Sequence, residues 1–182
     1  MSHTATRSRF FASFATVSML AKCVFLLIPL AALAALASDD KTDRATLRGI
    51  KGVCTVVEVL DQTKDAVNLL SQEKLLSVIQ GKLQEAGIPL DKDSTTCLYF
   101  SVRPLPAMGK NNKPIGLYAV DFKLEFLQAV TLARDPAVRA YAQTWSVANL
   151  ANVPADYLEQ TAREVAVDLV GRFTRAYHSV NK

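Results

Sequence analysis

The strongest constraint on the fold is one stretch near the middle of the chain, residues 116–132. Within it apolar and charged residues alternate, with Val120, Phe122, Leu124 and Phe126 set against Asp121, Lys123 and Glu125. A period of two predicts a β-strand with one buried face and one solvated face. The buried face needs a partner layer, so we expect this strand to be the spine of a sheet on which helices pack.

The remaining periodic segments predict the other elements of one small domain. β-Branched and alternating patterns predict strands over residues 50–60, 94–103 and 139–148, and apolar residues at helical spacing predict helices over 71–87 and about 154–179. The order strand, helix, three strands, helix predicts an α+β two-layer sandwich. Its four-stranded mixed sheet has both helices on one face, and residues 104–115 form a long hairpin loop.

The first helix is predicted from signals at both ends. Ser71 is a good N-cap, and Glu73 lies in the first turn, where the helix dipole favours a carboxylate. Gly87 can adopt the left-handed conformation that ends a helix, and Pro89 prevents continuation.

Residues 1–37 have the pattern of a secretory signal peptide. Basic residues precede an unbroken apolar run over 23–36, and Ala35-Leu36-Ala37 matches a small-residue cleavage site. We expect cleavage after Ala37, with Ser38 as the alternative, and hence a periplasmic or secreted protein. Residues 38–48 then read as a polar tether and 49–182 as a single α+β domain. The alternative is an uncleaved anchor that holds the chain to a membrane; that anchor is the expected route to membrane contact.

The charge of the predicted mature chain does not favour nucleic acid as a partner. Three of the 21 Lys and Arg residues, Arg7, Arg9 and Lys22, lie in the first 37 positions, which contain no acidic residue. The remaining 18 basic residues face 17 acidic ones. A near-neutral domain lacks the electrostatic footprint that phosphate backbones require.

Two cysteines remain after the predicted cleavage, Cys54 and Cys97. Both fall in the middle of predicted strands, on the face away from the helices. Export would place them in an oxidising compartment, where a disulfide forms if their Cα atoms come within about 7 Å. The alternative is two free thiols.

Motifs that carry chemistry are absent from the sequence. It contains no Gly-x-Ser-x-Gly, phosphate loop, dinucleotide fingerprint or His-Glu-x-x-His. His178, near the predicted end of the last helix, has no partners at metal-ligand spacing. We therefore predict no catalytic residue, no cofactor and no metal ligand, and an enzyme is not the favoured interpretation.

A partner surface is the favoured functional feature. It would lie on the open face of the sheet, on the loop over 104–115, or on both, and lysines of the loop could contact an anionic group. Its candidate residues are Tyr99, Arg103, Lys110, Lys113, Tyr141 and Trp145. Tyr141 and Trp145 share one parity of their predicted strand, which faces either the helices or the open side.

From residue 47 to the end, the pattern resembles a family of uncharacterised exported bacterial proteins. The matching segments are 47–50 with 56–60, 83–88, 117–120 with 124–125, 144–146 and the final amphipathic helix. The element order is also similar to that of small envelope-assembly lipoproteins, such as the lipopolysaccharide-assembly plug subunit. The resemblance implies an α+β envelope domain with an envelope protein or envelope component as its partner.

We therefore expect an exported, non-enzymatic binding or envelope-assembly accessory domain. The alternatives are a hydrolase-type enzyme without a recognisable motif, which would need a cleft of titratable groups, and a structural exported domain with no specific ligand.

Overall fold

The computed structural model describes residues 39–61 and 66–181. The helices and strands are α1 (Lys41–Ala45), β1 (Cys54–Val59), α2 (Gln72–Glu85), β2 (Cys97–Met108), β3 (Pro114–Leu132), β4 (Asp135–Pro154) and α3 (Leu158–Val180). The predicted signal peptide and its cleavage site at Ala37 or Ser38 lie outside the described residues and remain predictions.

The strands form one mixed sheet in the order β1-β2-β3-β4. β1 and β2 are parallel, as a crossover through α2 requires, and the two remaining pairs are antiparallel. α2 packs against β1 and α3, while α3 packs against β3 and β4. The predicted α+β two-layer sandwich is confirmed, with the short helix α1 as an addition.

One hydrophobic core lies between the helices and the inner face of the sheet. The four alternating residues of β3, Val120, Phe122, Leu124 and Phe126, are fully buried there. α2 contributes Leu75, Ile79 and Leu83, and α3 contributes a longer stripe that includes Leu169 and Phe173. The buried residues of β3, at every second position, and the apolar stripes of α2 and α3, which repeat every 3.6 residues, therefore form one core between the two layers.

The predicted ends of α2 are confirmed, whereas the start of α3 differs from expectation. The Ser71 hydroxyl accepts the Lys74 N–H, and Gly87 has φ +69°. Pro154 was expected inside the last helix but ends β4 instead. A 3-10 turn, Ala155–Tyr157, then joins that strand to α3.

Residues 39–48, expected as a polar tether, are part of the folded domain. Asp40 caps α1 by accepting the N–H groups of Thr42 and Asp43 at 2.7 and 2.8 Å. Leu47 is fully buried, and Asp39 accepts a 2.9 Å hydrogen bond from the indole N–H of Trp145. The polar segment is held to the domain by the buried Leu47 side chain and by the Asp39–Trp145 hydrogen bond, so it is not a tether.

The predicted loop over 104–115 is mostly strand. β2 continues to Met108 and β3 begins at Pro114, with Pro104 opposite Val120 and Pro106 opposite Tyr118. Prolines are tolerated there because β1 ends beside Val102, so the missing N–H groups face a free edge. The connection itself is a tight turn in which Asn111 and Asn112 have φ of 66° and 53°, the backbone that such hairpins need.

Tyr141 and Trp145 do not share a face of the sheet, contrary to the prediction. Trp145 pairs with Phe126, but Gln143 pairs with Leu127, so β4 has one extra residue at this point. Such a β-bulge reverses the parity of the strand on either side of it. Trp145 is therefore fully buried in the core, while Tyr141 is 55% exposed on the two-stranded extension of β3 and β4.

Cys54 and Cys97 are joined by a disulfide. They occupy paired positions on the neighbouring strands β1 and β2, with their Cα atoms 4.4 Å apart. Both side chains lie on the face away from the helices, as predicted. The bond fastens a six-residue edge strand to the longer strand beside it.

Reduction of this disulfide is expected to lower the free energy of unfolding by roughly 2–4 kcal/mol, because the cross-link restricts the unfolded chain. Urea denaturation of the full chain in a Cys23→Ser background, with and without reductant, measures the loss. The Cys54→Ser/Cys97→Ser variant is the control, since it should match the reduced protein and not respond to reductant. Equal stability in both conditions would contradict the expectation.

The contact between Asp39 and Trp145 predicts a dependence of stability on pH. The hydrogen bond from Arg44, and to a smaller extent that from Trp145, holds the pKa of Asp39 below its ordinary value. Its contribution to stability is therefore present above about pH 3.9 and is lost as the pH falls through the lower pKa of the folded state. The Asp39→Asn variant should be less stable than the parent protein at neutral pH, and the difference should shrink on acidification.

Urea denaturation followed by the fluorescence of the single tryptophan measures that difference at each pH. Asp93→Asn, in an exposed turn, is the matched control and should give no such trend. A difference that stays constant from neutral to acidic pH would disprove the assigned role of Asp39.

Candidate functional site

The face of the sheet opposite the helices, here called the open face, carries polar side chains from all four strands. Register places Val56, Tyr99, Glu125 and Ser146 in one row across the sheet. The next row is Glu58, Ser101, Lys123 and Ala148. These rows bring together residues that are far apart in the sequence.

Two sets of hydrogen bonds lie on the open face, one that joins β1 to β2 and one that joins β3 to β4. The Tyr99 hydroxyl donates to Glu58 on β1, and Glu125 lies next to Tyr99 on β3. The Lys123 ammonium donates to Glu125 Oε1 at 2.8 Å and to Gln143 Oε1 at 3.1 Å. The Gln143 amide then donates to the Ser146 hydroxyl at 2.8 Å. The centre of the open face is therefore polar and internally paired.

The electrostatics of Tyr99 bear on what this network can do. Burial, followed by the hydrogen bond to Glu58, raises the pKa of Tyr99 to about 12. The phenol thus stays protonated at neutral pH and acts as a hydrogen-bond donor. A catalytic base would need the opposite shift, so the network supports a structural or docking role better than proton abstraction.

Three exposed apolar side chains lie on the hairpin that extends past the end of β1. We call residues 104–116 the arm. Leu105, Met108 and Ile115 on it are 48%, 52% and 60% exposed. Gly109 lets the arm close, because a Cβ there would lie 2.6 Å from the Ile115 side chain. A larger residue at position 109 would therefore collide with Ile115.

The charge of the arm is entirely basic. Lys110 and Lys113 flank the turn and are exposed, and Arg103 immediately precedes the arm. No acidic residue occurs over positions 94–120 of the sequence. Asp121, paired with Arg103 in the register, is the first carboxylate along β3. Basic and apolar groups thus share one projecting element.

The six residues predicted to form a partner surface separate into four places. Arg103 lies at the base of the arm, and Lys110 and Lys113 flank its turn. Tyr99 belongs to the polar network, Tyr141 lies on the extension at the opposite end of β3, and Trp145 is in the core. Trp145 therefore cannot contact a partner, and the parity shift at the bulge is the reason.

A groove between α2 and α3 was not predicted from the sequence. It has a volume of about 520 Å³, and its lining includes the apolar residues Val78, Gly81 and Val167 and the charged residues Lys82 and Arg163. A Cβ at Gly81 would meet no atom within 4 Å, so no close contact requires glycine there. Glycine inside a helix costs roughly 1 kcal/mol relative to alanine, and this unexplained glycine was the available signal.

The described residues contain no cluster of three or more side chains suited to a metal ion. His178 is engaged at the carboxyl end of α2, with its Nε2 3.0 Å from the Ala86 carbonyl. Among the helices of residues 39–61 and 66–181, none has the length and hydrophobicity to cross a membrane.

The comparisons with known proteins find similar structures but no family to which the chain can be assigned. No protein-family model matches the chain, and no curated protein matches it. A PelC dodecamer from Paraburkholderia phytofirmans matches with 13% identity over 70% of this chain and 87% of that chain, at a TM-score of 0.36. Rare lipoprotein B from Shewanella oneidensis matches with 10% identity over 68% and 94%, also at 0.36.

A minor lipoprotein from Acinetobacter baumannii is a third neighbour, with 15% identity over 67% of this chain and 89% of that chain, at a TM-score of 0.29. Two of these three neighbours are thus described as lipoproteins. At these identities and TM-scores, the likeness assigns no function, ligand or partner to this chain.

Proposed function

We propose that this protein is an exported, non-enzymatic binding domain of the cell envelope, and that the arm is its contact element. The observation that supports the proposal is the coexistence of three exposed apolar side chains and basic residues on one projecting hairpin. Leu105, Met108 and Ile115 supply the apolar surface, and Lys110 and Lys113 supply the charge. The complementary component carries anionic groups next to apolar surface, as a phospholipid headgroup region does.

Elementary energetics favour such a pairing. Basic residues near an anionic membrane surface contribute about 1 kcal/mol each, and the attraction is screened by salt. Apolar side chains that leave water add about 25 cal/mol per Å² of buried surface. The two terms act together on a hairpin whose prolines and tight turn already restrict its backbone, so little ordering entropy opposes docking.

This route to the envelope differs from the expected N-terminal anchor, because it uses the folded domain. The enzyme alternative has weaker support, since Tyr99 is held protonated and Lys123 of the open face is paired with Glu125. The open face then serves as the rigid base from which the arm extends.

The test uses vesicles of phosphatidylcholine with or without phosphatidylglycerol and the full chain in a Cys23→Ser background. A polarity-sensitive fluorophore is attached to a Met108→Cys variant, and the Cys54–Cys97 disulfide is left intact. We expect a blue shift with phosphatidylglycerol vesicles that added salt reverses. The same label on Val138→Cys, an exposed position on the β3–β4 extension, should not shift.

Charge variants identify the cause of the shift. Lys110→Gln/Lys113→Gln should weaken the response by about 2 kcal/mol, roughly 30-fold in the vesicle concentration required. Lys51→Gln/Lys92→Gln removes the same charge near the other end of β1 and should leave the response unchanged. Equal losses in both double variants, or a shift that ignores lipid charge, would refute the arm as the contact element.

A further inference from the structure

We propose that the outer edge of β4 pairs with the same edge of a second copy of this chain. The two strands run antiparallel about a two-fold axis at Leu150 and join two sheets into one. This inference does not depend on the proposed function, because the arm and the outer edge of β4 lie on different parts of the sheet.

β4 is an edge strand, and its free backbone groups can be identified. The Val102 carbonyl accepts the Leu60 N–H. The backbone N–H and C=O groups of even-numbered residues of β2 therefore point toward β1, and those of odd-numbered residues point toward β3. The register carries this alternation across β3, so that Asn149 and Ala151 point at β3. The N–H and C=O groups of Ala148, Leu150 and Asn152 therefore point outward.

Part of this edge is already covered, and part of it is free. At Thr144 the N-terminal segment lies over the edge, and the Thr46 hydroxyl donates to the Thr144 carbonyl at 3.3 Å. Beyond that point, no backbone hydrogen bond from residues 39–61 or 66–181 reaches the outer edge. Pro154, which has no N–H, ends it. The free part is residues 147–153, long enough for a regular antiparallel pairing.

The free part lacks the features that keep edge strands apart. Natural edges are usually protected by charged residues, prolines or bulges, yet residues 147–153 read Val-Ala-Asn-Leu-Ala-Asn-Val, with no charge and no proline. Leu150 on this edge is 75% exposed, the highest value among the exposed large hydrophobic residues in the described part of the chain. An unprotected, uncharged edge with one prominent leucine is a template for another strand.

The sequence of the edge favours an identical strand as the occupant. A two-fold axis at Leu150 sets Val147 opposite Val153 of the second copy, so that the two buried layers continue into each other. It also sets Ala148 opposite Asn152, and Leu150 opposite itself. The three pairs with outward backbone groups each exchange two backbone hydrogen bonds. The two leucines then cover each other on the open face.

Cysteine cross-linking tests the register. In a Cys23→Ser background of the full chain, Leu150→Cys should form an intermolecular disulfide, because directly opposed residues of a hydrogen-bonded pair have Cα atoms about 5.5 Å apart. Ala148→Cys and Asn152→Cys should not cross-link alone, since each lies about 13 Å from its own copy, but should cross-link when mixed. Non-reducing intact mass gives the result, and self-linking of all three variants would overturn the register.

Solution mass tests the association itself. Sedimentation equilibrium of the full chain should show a dimer that dissociates on dilution, and Leu150→Lys should raise its dissociation constant at least about tenfold, because lysine protects edges. Leu105→Lys, an equal change at another exposed leucine of the open face, is the control. Circular dichroism checks that both variants fold. A monomer at every concentration, or equal effects of the two substitutions, would overturn the proposal.

Discussion

The packing of Phe173 against β3 and β4 is the contact on which the rest of the domain depends. Its ring stacks on that of Phe126, with the ring centroids 5.7 Å apart, and contacts the Trp145 ring edge-on, with the centroids 5.3 Å apart. These three side chains hold α3, β3 and β4 together at the centre of the core. Through the indole N–H, the same cluster reaches Asp39 and brings in the N-terminal segment. A single buried aromatic group thus links elements from both ends of the described chain.

Local periodicity was sufficient to predict the faces of β3 and both ends of α2, because each depends on near neighbours in the sequence. Val120 to Phe126 alternate without interruption, and Ser71 and Gly87 act on their own helix. The bulge opposite Phe126 could not be predicted, since no glycine marks it and its cause is the register between two strands. That single extra residue decided which of Tyr141 and Trp145 entered the core.

The candidate site was predictable in its charges and not in its shape. Lys110 and Lys113 are evident in the sequence. The Asn111-Asn112 pair was a signal for a tight turn, but the predicted loop over 104–115 was too long to suggest one. The exposure of Leu105 and Met108 depends on where β1 ends, at Val59, because β2 has no strand on that side beyond Val102. An isolated strand pattern does not contain this fact, because it is set by the length of the neighbouring strand.

Unequal strand lengths explain why the sheet has two different kinds of free edge. β3 and β4 have 19 and 20 residues, whereas β1 has six, so β2 loses its outer neighbour after Val102. That edge is protected, because Pro104 and Pro106 remove the two N–H groups that would face a new strand. The free part of β4 has no such protection until Pro154. The sequence thus protects the edge of β2 in the arm and leaves the edge of β4 uncharged. The arm is therefore suited to docking and β4 to pairing with another strand.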